Sequence, residues 1–187
     1  MKVTAQEEYG LRCILQLARH HSRDPVTGRQ IAESEGISLD YVSKLLMILR
    51  RAELVRSVRG IRGGYALAKE PRSITLGEVM RALSSEEGIV ITSPDSHMCD
   101  HFSGHLEACA HLNACAIRPV WTVLARYLSG VLDHISLADL LQTEHQVLEV
   151  VEQVSRDTLR GQARGGTIHI ARTHGLFRTA GINRFKE

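Results

Sequence analysis

No stretch of the 187-residue sequence approaches the roughly 18 uninterrupted apolar residues of a membrane span, which excludes a membrane-spanning helix. The N-terminus lacks the apolar core of a signal peptide, because Glu7, Glu8 and Arg12 interrupt it, and a cytoplasmic protein is expected. No Ser/His/Asp set and no pair of carboxylates is arranged for catalysis, so an enzyme is not expected. Internal repeats are absent. Cysteine is scarce: there are four, and none forms the paired CxxC spacing of a zinc ribbon. In a cytosolic chain, that number points to metal or redox chemistry before disulfides. Only 4% of residues are aromatic, yet 43% are hydrophobic and 24% charged, which excludes a wholly disordered chain. The length suits one domain with a real core, or a small domain with a long appendage.

The net charge of +2 averages three unlike parts. Residues 1–72 hold 13 Lys/Arg against 8 Asp/Glu, residues 73–154 hold 3 against 11, and residues 155–187 hold 7 against 2. A basic head, an acidic middle and a basic tail suit different partners.

Apolar residues keep helical spacing from Ala5 to His20, through Tyr9, Cys13, Ile14 and Leu17. Thr27 is placed to cap a short helix ending at Glu35, Gly36 breaks it, and Ser38 caps a third helix with a stripe of Leu45, Leu46, Ile48 and Leu49. Two helices around a glycine turn form a helix-turn-helix. Residues 54–58 and 65–68 then read as two strands around the basic glycine-rich turn 59–64. A capping box of Thr75 and Glu78 opens a helix reaching about Leu83. A Ser/Gly/His/Cys-rich stretch follows over 84–115. Helical spacing resumes from Cys115 to Asp133 through Ile117, Val120, Trp121, Leu124, Leu128, Val131 and Leu132. Ser136 and Asp139 start a short helix, and Glu144 to Leu159 is amphipathic. Beyond Gly161 the chain reads as irregular and mobile.

The expected fold is therefore mainly α. A winged helix-turn-helix DNA-binding domain covers 1–83, with the helix-turn-helix at about 28–51 and a small β-hairpin wing at about 54–68. A metal-binding loop covers 84–115. A long dimerisation helix and the following short helix span 116–142, and a C-terminal helix with a basic tail occupies 143–187.

A recognition helix presents the exposed residues of its N-terminal turns to base edges in the major groove. Here those are Ser38, Asp40, Tyr41, Ser43 and Lys44, opposite the leucine stripe. Arg50 and Arg51 at the helix end suit phosphates. Arg59 and Arg62 sit in a wing whose Gly63 and Gly64 allow close approach to phosphates or a minor groove. Any one of these positions could be an ordinary solvated polar residue, but the ordered combination points to DNA. Because one winged helix gives modest affinity, a homodimer on a pseudo-palindromic duplex is expected.

Cys99, Cys109 and Cys115 share one window with His97, His101, His105 and His111. Thiolates and imidazoles so concentrated read as a metal or iron–sulfur site, with three thiolates and a weaker, displaceable fourth ligand. A solvated loop histidine is the simpler reading of each histidine taken alone. Cys13, on the apolar face of the first helix, reads as core.

The strings GISLDY at 36–41, LVRSVRG at 54–60 and RGGY at 62–65, followed by three cysteines, resemble the IscR/NsrR/RirA-type bacterial regulators. MKVT at 1–4 and EYGLR at 8–12 look like that family's first helix, and ISLADL at 135–140 resembles the segment after its dimerisation helix. The resemblance covers residues 1–142. It implies a homodimeric winged-helix transcription factor, a repressor by expectation, with one iron–sulfur cluster per protomer. It also implies Cys99, Cys109 and Cys115 as ligands. One branch of the family places a histidine three residues after the last cysteine, where this chain has Arg118. Another uses an acidic residue of the first helix across the dimer, and Glu8 occupies that position. Glu8 is thus the expected fourth ligand of a 2Fe–2S or 4Fe–4S cluster that senses nitric oxide, redox state or iron supply. A zinc- or thiol-based regulator of the same fold is the alternative. A non-DNA-binding iron–sulfur carrier is the alternative of another class.

Overall fold

The computed structural model describes residues 3–84 and 117–165. Its elements in chain order are α1 (Ala5–Arg19), α2 (Gly28–Glu35), α3 (Leu39–Arg51), β1 (Val55–Val58), β2 (Gly64–Leu67), α4 (Leu76–Leu83), α5 (Arg118–Leu132) and α6 (Glu144–Gly165). Short 3-10 turns at Pro71–Ser73 and Asp139–Leu141 complete them. The protein is mainly helical, with one two-stranded antiparallel sheet.

Local chemistry sets where the helices begin. Thr4 with Glu7, Thr27 with Gln30, and Thr75 with Glu78 form reciprocal capping boxes at α1, α2 and α4. At α3 the Ser38 Oγ accepts the Tyr41 N–H at 3.2 Å. Each such cap contributes about 0.5–2 kcal/mol by satisfying amide donors that the helix itself leaves free. Gly36 closes α2 at φ +66°, a left-handed conformation that glycine adopts without strain, and so lets α3 depart in a new direction.

The core forms where the apolar stripes of these helices meet. Cys13, Ile14, Leu17 and Ala18 of α1 pack with Val42, Leu45, Leu46 and Leu49 of α3, and Ile31, Val79 and Leu83 close the cluster. The sheet caps one side, with Val55 paired to Leu67 and Val58 to Gly64. Val26 pairs with the outer side of β2 as an isolated bridge to Tyr65. Its N–H donates to the Tyr65 carbonyl at 3.0 Å, and the Tyr65 N–H returns the bond to the Val26 carbonyl at 2.8 Å. Gly64 is required by this approach, since a Cβ there would stand 2.6 Å from the Val26 carbonyl oxygen.

The chain from α5 returns to this body as an extended segment. The Leu76 N–H donates to Ile135 O at 2.7 Å and the Leu137 N–H to Ile74 O at 2.9 Å, with Ile135 and Leu137 buried. The short helix expected at Ser136 is a single 3-10 turn, stabilised by Ser136 N–H and Oγ–H donating to Asp139 Oδ2. The α5 stripe divides. Val131 is buried and Leu128 and Leu132 are half-buried, but Ile117, Val120, Trp121, Val123 and Leu124 are exposed. Helix α6 runs through Gly161 to Gly165, past the point where irregular chain was expected. One interior glycine costs only about 1 kcal/mol, which an established 22-residue helix absorbs.

Glu7 is 1% exposed and fastens α1 to α4. Its carboxylate accepts Thr4 N–H at 2.8 Å, Thr4 Oγ–H at 2.9 Å and, from the residue that ends α4, Ser84 Oγ–H at 2.9 Å. Gln6 Nε2 donates to the Leu83 carbonyl at 2.7 Å beside it. Glu7→Ala leaves these donors without an acceptor and should lower stability by about 1–3 kcal/mol, read as a fall in the urea midpoint. The exposed neighbour change Glu8→Ala should move it by less than about 0.5 kcal/mol.

Candidate nucleic-acid interface

Burial of Val42, Leu45, Leu46 and Leu49 fixes the rotation of α3 and leaves Asp40, Ser43, Lys44 and Met47 on its outer face, with Ser38 at the exposed N-cap. Ser43 Oγ donates to the Leu39 carbonyl at 2.8 Å, so its lone pairs face outward as acceptors. Asp40, in the first turn, also complements the positive end of the helix dipole. Tyr41 differs from its neighbours. It is half-buried, and its ring meets Tyr9 of α1 edge-on, with centroids 6.1 Å apart at 76°. Arg50 and Arg51 are exposed at the far end of α3, about 17 Å from its start at 1.5 Å per residue.

Arg59 and Arg62 are exposed on the turn joining β1 to β2. Gly60 there has φ +116°, and the Gly63 N–H closes the turn on the Gly60 carbonyl at 2.9 Å. A Cβ at Gly63 would meet the Val58 carbonyl oxygen at 2.6 Å. Gly63 and Gly64 therefore shape the wing, and the arginines supply its charge. Arg56 is not free in the same way, because its Nε donates to the Leu67 carbonyl at 3.3 Å. Sequence reasoning passed over Ile61, which stands fully exposed between the two arginines. Its apolar type gave no hint of the turn geometry that exposes it.

Glu8 lies on the outer face of α1, half-exposed, with Arg12 Nε donating to its Oε1 at 2.9 Å. Such exposed i,i+4 ion pairs contribute only about 0.3–0.5 kcal/mol, so the carboxylate is readily available to another partner. Arg12 Nη1 also lies 3.9 Å from Glu35 Oε2 of α2, and its guanidinium sits 5.6 Å from the centroid of the Tyr9 ring. Glu8, Arg12, Tyr9 and Tyr41 thus form a continuous path from the outer face of α1 to the first turn of α3. The Glu8–Arg12 spacing was visible in the sequence, but Tyr9 and Tyr41 are 32 residues apart and only packing joins them. Cys99, Cys109, Cys115, His97, His101, His105 and His111 lie outside the described residues. The described cysteine, Cys13, is buried in the α1–α3 core as expected. Burial first, and the negative charge of Glu35 second, push its thiol up to about 12.

A sequence profile of the Rrf2 family, described as iron-dependent transcriptional regulator, matches residues 3–143. The protein rrf2 of Nitratidesulfovibrio vulgaris is 34% identical over 142 residues, covering 76% of this chain and 88% of that protein. The HTH-type transcriptional regulator IscR of Sodalis glossinidius is 33% identical over 165 residues, covering 88% of this chain and 93% of its own length. Among solved structures, T. potens IscR superposes with a TM-score of 0.58 at 33% identity, over 75% of this chain and 86% of that one. CymR, the global cysteine regulator of B. subtilis, does so with a TM-score of 0.57 at 32% identity, over 75% of this chain and 95% of that one.

The raised Cys13 thiol makes stability depend on pH in the alkaline range. The native thiol ionises near 12 against an ordinary value of 9.0, so its neutral form contributes stability below about 9 that is lost as pH climbs toward 12. Iodoacetamide at mildly alkaline pH should leave Cys13 unmodified in native protein and alkylate it in urea, as read by peptide mapping.

Proposed function

The chain belongs to the Rrf2 family of transcriptional regulators, which are not enzymes, and on that footing we propose a homodimeric repressor with a pseudo-palindromic operator and an iron–sulfur cluster that sets its hold on DNA. The observation that carries the DNA half is the single outward face of α3 beside an arginine-bearing wing. Ser38, Asp40, Ser43 and Lys44 read base edges in the major groove, with Tyr41 holding the helix against α1. Arg50 and Arg51 meet phosphates. Arg59 and Arg62, on the turn shaped by Gly63 and Gly64, reach the neighbouring backbone or minor groove. The exposed apolar half of α5, with Trp121 at its centre, faces the second subunit.

Cys99, Cys109 and Cys115 hold a 2Fe–2S or 4Fe–4S cluster, with Glu8 as the fourth ligand. The donor set fits such a group: three cysteines in one window, an accessible carboxylate held by a weak ion pair, and Cys13 set apart as a buried neutral thiol. When bound, the cluster would supply a centre reactive toward nitric oxide and oxidants, and one whose assembly depends on iron supply. Arg12 has Glu35 as a second carboxylate within reach, and its guanidinium lies over the ring that abuts Tyr41. A change of partner at Glu8 therefore bears on the first turn of α3, and cluster and DNA affect each other's binding by linkage. The likeness to CymR favours a second reading, in which the same cysteines serve as a thiol- or zinc-based switch on the same fold.

Arg59→Ala or Arg62→Ala should weaken duplex binding and reduce the slope of log K against log salt by about 0.9 for each phosphate no longer neutralised. Unchanged affinity and slope in both would remove the wing from the interface. Protein purified without oxygen should be coloured and contain iron and acid-labile sulfide. Cys109→Ala should then lose the cluster while remaining a folded dimer, and Glu8→Ala should alter the spectrum. A colourless product holding only zinc, or nothing, would replace the cluster with the thiol or zinc switch.

A further inference from the structure

Ile61 is fully exposed, and the wing turn holds it so. The Gly63 N–H donates to the Gly60 carbonyl at 2.9 Å, which makes Ile61 and Arg62 the two central residues of a four-residue turn. A Cβ on Gly63 would meet the Val58 and Gly60 carbonyl oxygens at 2.6 and 2.7 Å. Backbone therefore fills the inside of the turn, and the side chains at 61 and 62 stand outward. Isoleucine is branched at Cβ and has few rotamers to lose when it is enclosed. The tip is thus a stiff apolar knob between the exposed guanidinium groups of Arg59 and Arg62.

The knob is tied to the outward face of α3. Tyr65 exchanges two backbone hydrogen bonds with Val26, just ahead of α2. At Gly28, the first residue of α2, a Cβ would lie 3.3 Å from Leu39 Cδ1 of α3 and 4.0 Å from Tyr65 Cε2 of β2. The starts of α3 and β2 therefore meet at one point. A duplex that takes the outer face of α3 into its major groove brings a flanking minor groove toward the wing. Other occupants fit the tip less well. A second copy would set four guanidinium groups against one another, and one aliphatic side chain gives little hold on a bilayer.

In the minor groove an A·T pair shows only acceptors, whereas a G·C pair adds the guanine N2 amino donor. Arg59 and Arg62 are donors only, and Ile61 is neither donor nor acceptor. A guanine amino group beneath the tip would lose water and find no side-chain acceptor, which is costly. We propose that Ile61 makes the wing selective for A·T pairs, by filling the minor-groove space that the guanine amino group would occupy. This rests on the DNA-binding reading of the wing and adds to it a residue that selects sequence without carrying charge.

The probe is a duplex recovered from a random-sequence pool by the full chain purified without oxygen. Its adenines are replaced one at a time by 2,6-diaminopurine, which adds the N2 amino group in the minor groove and leaves the major-groove edge unchanged. Fluorescence anisotropy should show one position per half-site where the replacement weakens binding about tenfold. Ile61→Ser, whose hydroxyl can accept from the added amino group, should bind the unmodified duplex about tenfold more weakly and no longer distinguish the two. Its salt slope should match the parent's, because no phosphate contact is lost. Ile61→Val should keep the discrimination, and both variants should melt with the parent. The proposal is overturned if no adenine position discriminates, if Ile61→Ser discriminates like the parent, or if its salt slope falls as for a lost arginine. A parent chain that binds no duplex would overturn the DNA reading itself, whereas one that binds without minor-groove discrimination overturns only the role of Ile61.

Discussion

The packing of α1 across α3 governs the rest of the molecule. Once Cys13, Ile14 and Leu17 are set against Val42, Leu45 and Leu49, the rotation of both helices is fixed, and every other face follows from it. The opposite side of α3 becomes a polar surface. The outer side of α1 presents Glu8 and Arg12, and its first turn reaches the end of α4 through Glu7. A rotation of α1 by one residue, about 100°, would exchange the buried and exposed carboxylates and break both arrangements. Such a shift is opposed because Glu7 is satisfied by three donors and Glu8 by one exposed arginine.

The wing is held by the same body through a different bond type. Val26, just before α2, exchanges two backbone hydrogen bonds with Tyr65, so the hairpin cannot move without α2 and the helix-turn-helix. That pairing fixes the arginine-bearing glycine turn relative to α2 and α3. The charge distribution agrees. The basic excess belongs to the helix-turn-helix and wing, while the carboxylates of the acidic stretch 73–154 include Glu144, Glu149 and Glu152 at the start of α6.

Much of this was legible in the sequence because its determinants are local. The threonine and serine caps act over three residues, so the starts of α2, α3 and α4 could be read from Thr27, Ser38 and Thr75 alone. The leucine stripe of α3 and the glycine turn of the wing are equally short-range. Less legible were contacts between distant segments. Residues 135–137 read as the approach to a helix but pair in extended form with 74–76, because their partner lies about sixty residues away. Tyr41 reads as one more residue on the outer face of α3, and only the fold shows that its ring also meets Tyr9 of α1. The α5 stripe gave no sign that half of it would be buried by its own chain and half left exposed.

By itself the sequence determined where α2, α3 and α4 begin, the helix-turn-helix and hairpin order and the family, since periodicity, capping and motif spacing are properties of neighbouring positions. Tertiary structure alone decided which of two adjacent glutamates is buried, which arginines are free to act, and whether Ile61 is covered or exposed. Those outcomes depend on how helices pack in space, and the order of residues along the chain does not contain that information.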